Sequence, residues 1–418
     1  MKKRIACLAA AAALCLTACA GESFSDNEFL SRGVARSRDT SLTFNYADGA
    51  SEPPLAYNSF ANTTATFGFK LLRRSYREDG NTAVMPANAI LQLSLLLNGA
   101  KGDTKQEILF ALGNELSADS LNTCSSYFQS RMQTVGRKYL EQQSEDGKDI
   151  SPTLTIPRML FLNDGNDFRK TFLQANADFF GADILRFDFA DDMARVKLDD
   201  LIKTEKPPFD ENDSMYSYSS LTFTDTWLTP YGADSSADGT FLHSEEILMQ
   251  SDRAKGVVKY TETNPLKALF ILPDGDFDTY VKTFDSAEYF KLLESVDITK
   301  RQGVQLRPFS VDGGLVDRKD TLSAVGLNTL FSDKSDFGNL AHGDANRLDS
   351  FFESMPCVTF SASGISTETM QSDAALTQDT APEKEEWKDD LVFDKPFLFM
   401  LIDNESSTPL YIAAIKEI

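Results

Sequence analysis

Apolar positions are densest just after Pro86. The stretch Asn88 to Ala100 (NAILQLSLLLNGA) is apolar nearly all round, which predicts a buried helix rather than a surface one. Gly99 and Gly102 end it, and Thr104-Lys105-Gln106-Glu107 has the form of a capping box opening a second helix to Leu112, closed by Gly113. Upstream, Phe60 to Arg74 has helical spacing, with Phe67, Phe69, Leu71 and Leu72 ahead of Arg73 and Arg74. Leu154 to Leu162 alternates and then turns largely apolar, which predicts a central strand. Asp164-Gly165 marks a turn, Phe168 to Phe180 an amphipathic helix, and Ile184 to Phe189 an alternating strand. Further strands are expected at Ser217 to Trp227, Val257 to Tyr260, Ala268 to Leu272, Val304 to Val311 and Val358 to Phe360, with Pro273-Asp274-Gly275 closing one of them. Helices come first and strands later, without a repeat or a composition break, so the expected class is one α+β domain.

The pattern changes abruptly near the C-terminus. Ser361 to Asp390 is acidic and almost free of large apolar residues, and it runs straight into the apolar block Leu391 to Ile402. Loops longer than about 12–15 residues are uncommon in compact domains and tend to be functional or disordered.

Composition and charge narrow the partners. The chain has 418 residues, 42% hydrophobic and 25% charged, enough to bury a large core. A formal charge of −22 repels nucleic acid, anionic lipid and heparin-like polyanions, so none of these is an expected partner. At the N-terminus, Lys2, Lys3 and Arg4 precede an apolar run, Ile5 to Leu16, too short to span a membrane. Leu16-Thr17-Ala18-Cys19 resembles a bacterial lipobox, as opposed to an ordinary secretory cleavage site. The expected organisation is a signal peptide over 1–18, a lipid on Cys19, a tether over 19–57 and a domain over 58–418. A flexible coil of the tether's length reaches about 35 Å. The lipid is then the membrane contact, in a Gram-negative envelope at the outer membrane or cell surface. Cys7 and Cys15 leave with the signal, and Cys124 and Cys357 are expected as free thiols rather than a disulfide.

Catalytic chemistry is hard to find. His243 and His342 are the only histidines, both in polar surroundings that suggest surface positions. No serine lies in a nucleophile elbow, and no H-E-x-x-H, C-x-x-C or phosphate-cradling glycine loop occurs. The acidic clusters Asp191-Asp192 and Asp210-Glu211-Asn212-Asp213 lack the calcium-loop pattern. The expectation is a protein without cofactor or metal that is not an enzyme.

Several segments, in order, resemble the serpin family. Phe67-x-Phe69-x-Leu71 is similar to its first helix, and Pro86 to Leu112 to the helix pair that follows. Leu154 to Phe189 matches its strand, helix and strand. Phe223-Thr224-Asp225-Thr226-Trp227 resembles the family's F-x-G-x-W with Asp225 in place of glycine. Leu269 to Pro273 and Val325 to Phe331 resemble two further family phrases, and Leu391 to Leu401 resembles the C-terminal signature around Asp394-Lys395-Pro396-Phe397. The resemblance implies three sheets, about eight or nine helices, and an exposed reactive loop ahead of that signature. In inhibitory members a target protease cleaves the loop and is trapped as an acyl-enzyme while the loop's N-terminal half inserts as a strand in the main sheet. The implied partner is a serine or papain-like cysteine protease, met by a monomer.

The hinge of that loop is expected at Gly364, Ile365, Ser366, Thr367, Glu368 and Thr369. In an inserted strand, alternation sends Ile365, Thr367, Thr369, Gln371 and Asp373 inward and Ser366, Glu368, Met370 and Ser372 outward. Ile365, Thr367 and Thr369 are β-branched and suit a strand. Gln371 costs about 1–3 kcal/mol if its amide stays unpaired, and Asp373 costs more unless paired or wet. Counting from the hinge puts the scissile bond at Gln378-Asp379, whereas counting back from Pro396 lands near Glu385; Leu376 and Lys384 are neighbouring candidates. Met85 and Asn88 replace serines that the family favours, and Ser219 and Ser354 occupy its sheet-opening Asn and His positions. These departures keep open an alternative, a non-inhibitory binding or scaffold lipoprotein of the same fold.

Overall fold

The computed structural model describes residues 29–31, 52–146, 153–164, 167–202, 205–236, 239–263, 265–342, 347–367 and 390–417. Among these, nine α-helices and three sheet surfaces enclose one large apolar core, as the α+β expectation required.

Two helices form the base of the core. The first, α1 (Tyr57–Ser75), packs on α2 (Pro86–Gly99), in which every residue but Asn98 is buried. Pro86 sits at the first turn of α2, where a missing N–H costs nothing. A Cβ on Gly68 would lie 2.4 Å from Pro86 Cγ, so glycine lets the two helices close up. The expected capping box does not cap. Helix Gly102–Ala111 starts three residues earlier, after Lys101, with no side-chain cap. Thr104 Oγ1 instead accepts from Asp336 N–H at 2.8 Å, and the Glu107 carboxylate accepts from the N–H groups of Thr329 and Leu330 at 2.9 and 3.0 Å. Glu107 thus caps a distant 3-10 turn, Thr329–Phe331, and Thr104 holds the segment beyond it, neither capping its own helix.

The central sheet lies over α2 and is split at one level into two halves. Its lower half contains β1 (Phe29–Ser31), β3 (Arg158–Asn163), β4 (Asp183–Phe187), β5 (Met215–Ser220), β8 (Gly314–Asp317) and β9 (Ser350–Met355), in the order β1-β4-β3-β5-β9-β8. Its upper half contains β2 (Thr153–Thr155), β6 (Thr222–Thr226), β7 (Phe309–Val311), β10 (Val358–Phe360) and β11 (Gly364–Ser366), in the order β7-β10-β11-β6-β2. Each upper strand except β11 continues a lower one. The interruption falls at Pro157, Leu221, Asp312-Gly313 and Pro356-Cys357, and proline cannot donate to the ladder. The segment expected as one strand from Ser217 to Trp227 therefore bends at Leu221. Phe29–Ser31, inside the presumed tether, pairs antiparallel with β4.

The second and third surfaces are one nine-stranded sheet folded about the 12-residue strand Gly239–Gln250. One end of that strand pairs with Ala254–Tyr260, the other with Gly232–Ser236 and Arg301–Leu306. Phe397–Asp403 and Pro409–Ile415, buried throughout, lie side by side toward one end of that sheet, between Leu266–Pro273 and Thr82–Val84, which explains the apolar C-terminal block. His243 is a correction: it is buried, its ring against Gly232, not at the surface. Cys124 is buried and Cys357 exposed, and both are free thiols.

Candidate functional site

The first part of the segment expected as the hinge is a strand. Residues Gly364–Ser366 form β11 between β10 and β6, antiparallel to both, with Phe360 opposite Ile365 on one side and Asp225 opposite Ile365 on the other. Gly364 is required by proximity: a Cβ there would meet the Asp225 carbonyl oxygen at 2.2 Å and Thr226 Cα at 2.9 Å. Ile365 enters the apolar core and is 1% exposed, in line with the inward alternation expected for it. Ser366 turns the other way, its hydroxyl 2.9 Å from that of Thr224. Thr367 extends the pairing: its N–H donates to Phe223 O at 2.8 Å and its Oγ1 accepts from Phe223 N–H at 2.8 Å.

The turn that feeds β11 is fixed by aromatic residues. Trp227 donates from its backbone N–H to Ser363 O at 2.9 Å and from Nε1 to Ser361 O at 3.0 Å, and Tyr231 N–H donates to Ala362 O at 2.9 Å. The rings of Trp227 and Tyr231 pack on Phe360 with centroids 5.3 and 5.4 Å away. Glu368, Thr369, Gln378, Asp379 and Cys19 lie outside the described residues. The chain returns at Asp390, whose carboxylate accepts from Gln305 Nε2 at 2.6 Å, and Leu391–Phe393 then pairs in parallel with Arg301–Leu306.

Below β11 the sheet is shut. Strands β5 and β9 pair directly and in parallel, from Tyr216 opposite Ser350 to Ser220 opposite Ser354. Any deeper insertion must part this seam. Two groups hold its strands from beneath. On α2, Asn88 Nδ2 donates to Ser220 O at 2.8 Å and Gln92 Nε2 donates to Tyr218 O at 2.5 Å, both on β5. On the other side, Arg318 pairs with Glu353 of β9 at 2.7 Å and donates to Ala83 O at 2.9 Å and Ser75 Oγ at 3.2 Å. Burial pushes the Glu353 carboxyl above its usual range, with Arg318 opposing the shift. Ser219 faces α2, whereas Ser354 shares the opposite face with Phe352, so the two substituted positions do not meet on one side. Sequence reasoning missed Gln92, Arg318 and Glu353. Asn88 and Gln92 left one trace, amides in an otherwise apolar helix; Arg318 and Glu353 left none.

The segment expected as the root of the loop thus lies as a strand between β10 and β6, above a seam where β5 and β9 pair directly. The chain matches the family model "Serpin (serine protease inhibitor)" over residues 62–417 and belongs to the serpin family. It is 22% identical to the alpha-1-antitrypsin-like protein GS55-LT of Ictidomys tridecemlineatus, across 86% of this chain and 89% of that one. Its fold superposes on the native state of the thermophilic serpin tengpin with a TM-score of 0.68 at 24% identity, covering 86% and 94% of the two chains. Human thyroxine-binding globulin complexed with its hormone gives a TM-score of 0.66 at 17% identity, covering 86% and 98%.

Proposed function

We propose that the protein inhibits an endopeptidase of the serine or papain-like cysteine class as a suicide substrate, displayed from a cell envelope by a lipid on Cys19. The observation that carries this reading is the docked hinge, Gly364 to Thr367, hydrogen-bonded between β10 and β6. On this reading β11 is the start of the inserted strand, and further insertion runs between β5 and β9. Attack by the target's nucleophile on a loop carbonyl, with Gln378-Asp379 the candidate bond, releases the new amine and leaves an acyl-enzyme. The freed N-terminal half then follows β11 into the sheet. Kinship with proteins named alpha-1-antiproteinases supports the same reading.

A second reading, a non-inhibitory binding lipoprotein, draws on Ile365, a large residue at the first inward position, and on Ser219 and Ser354 at the seam. One experiment separates them. The mature protein is incubated with trypsin-, chymotrypsin-, elastase- and papain-like proteases and resolved on denaturing gels. The inhibitor reading expects an SDS-stable complex of summed mass and a cut within residues 371–386. Cleavage there without complex formation by any of the four would sink it.

A further inference from the structure

Asp225 stands where the family resemblance has glycine, and it faces the hinge. It lies on β6 directly opposite Ile365 of β11. Both side chains point to the core, Asp225 3% and Ile365 1% exposed, while Thr224 and Ser366, the latter also buried, pair on the opposite face. An apolar hinge side chain therefore helps to seal a carboxyl group from water. From the segment between strands Ala254–Tyr260 and Leu266–Pro273, Thr263 Oγ1 donates to Asp225 Oδ2, and the Thr226 N–H donates to Oδ1 at 2.8 Å. The ionisable groups on that side are already engaged. Glu262 accepts from Thr226 Oγ1 at 2.6 Å, and Lys259 is paired with Glu246 over the Tyr231 ring. Strands β2, β10 and β11 carry no ionisable residue.

We propose that Asp225 ties hinge docking to pH: the neutral acid favours β11 in the sheet, and the carboxylate favours its release. Burial is the largest influence on this carboxyl and pushes it up from its ordinary 3.8 to about 6, against the hydrogen bonds from Thr263, Thr261 and Thr226. When β11 leaves, Ile365 leaves with it and Asp225 regains water. The docked state thus binds the proton more tightly than the undocked state. Docking is strongest below about pH 4, where both states are protonated. It weakens as pH rises from about 4 to 6, and it is level above. A return from about 6 to 3.8 corresponds to a docking constant changed by about a hundredfold at most.

The inference needs the docked hinge and not the trapping of a protease. It is tested on the full chain by hydrogen exchange of amides 365–367 between pH 4.5 and 8, corrected for intrinsic rates to give opening constants. The emission of Trp227 in a Trp387→Phe background is the second readout. The opening constant is expected to rise about 25-fold between pH 4.5 and 7. Asp225→Asn is expected to remove the rise and to hold the hinge tens-fold more closed at pH 7.5. A parent constant independent of pH, or an Asp225→Asn profile that overlays the parent, overturns the proposal. If that variant fails to fold, Asp225→Gly replaces it, and a pH rise that persists without the carboxyl is equally fatal. Complex formation with a protease is scored separately, so loss of the inhibitor reading leaves this result standing.

Discussion

At residue 365 a single side chain decides how firmly the loop's root is held. Ile365 is buried with Phe360 and Asp225 as its register neighbours, and it anchors a strand only three residues long. Truncating a buried isoleucine to alanine costs about 2–5 kcal/mol, more than so short a strand can offset. Ile365→Ala is therefore expected to release the hinge. Amides 365–367 should exchange tens-fold faster or more, and Trp227 emission should change as Ser361 and Ser363 withdraw. The inward direction of Ile365 was legible from alternation once Gly364 was placed. The need for glycine was not, because the Asp225 carbonyl that demands it lies about 140 positions away in sequence.

Among the elements, α2 does more than its apolar pattern announces. Its leucines fill the core, but Asn88 and Gln92 turn toward β5 and bond the carbonyls of Ser220 and Tyr218. Removing either amide leaves a buried acceptor unmet, at about 1–3 kcal/mol. The variant Asn88→Ala/Gln92→Ala is expected to lower the urea midpoint accordingly. It should also hasten loop insertion on mild warming, because the seam between β5 and β9 has lost one of its two holds. Native gels over time, with the parent beside it, follow that conversion. The strand segments themselves were largely readable from their alternation. The break at Leu221 was not, since its cause lies in Pro157 of a neighbouring strand, and Ser220 N–H reaches back to Pro157 O at 3.1 Å.

For the molecule as a whole, the proposed inhibitor mechanism requires that the intact form not be the most stable arrangement of these residues. A single cut within 371–386 frees the loop's first half. If insertion proceeds beyond Thr367, the nicked protein gains a full central strand and its Tm should rise by several degrees, each kcal/mol giving less than the roughly 2–4 °C of a 150–250-residue domain because this one is larger. An unchanged Tm after nicking would mean that Gln371 and Asp373 stop the strand. Net charge of −22 does not oppose this step in particular, because the inward set before Asp373 is uncharged.

Taken alone, the sequence determined the family and many of the elements, because apolar period and local motif are properties of neighbours in the chain. It missed the long helix Ala118–Asp146 and the strand Gly239–Gln250. The tertiary structure decided the state of the hinge and what guards the seam. Those rest on pairs far apart in sequence, Gly364 with Asp225, Asn88 with Ser220, Arg318 with Glu353. No local pattern records such distances; only folding brings these groups within reach of one another, where burial and hydrogen bonding then set their chemistry.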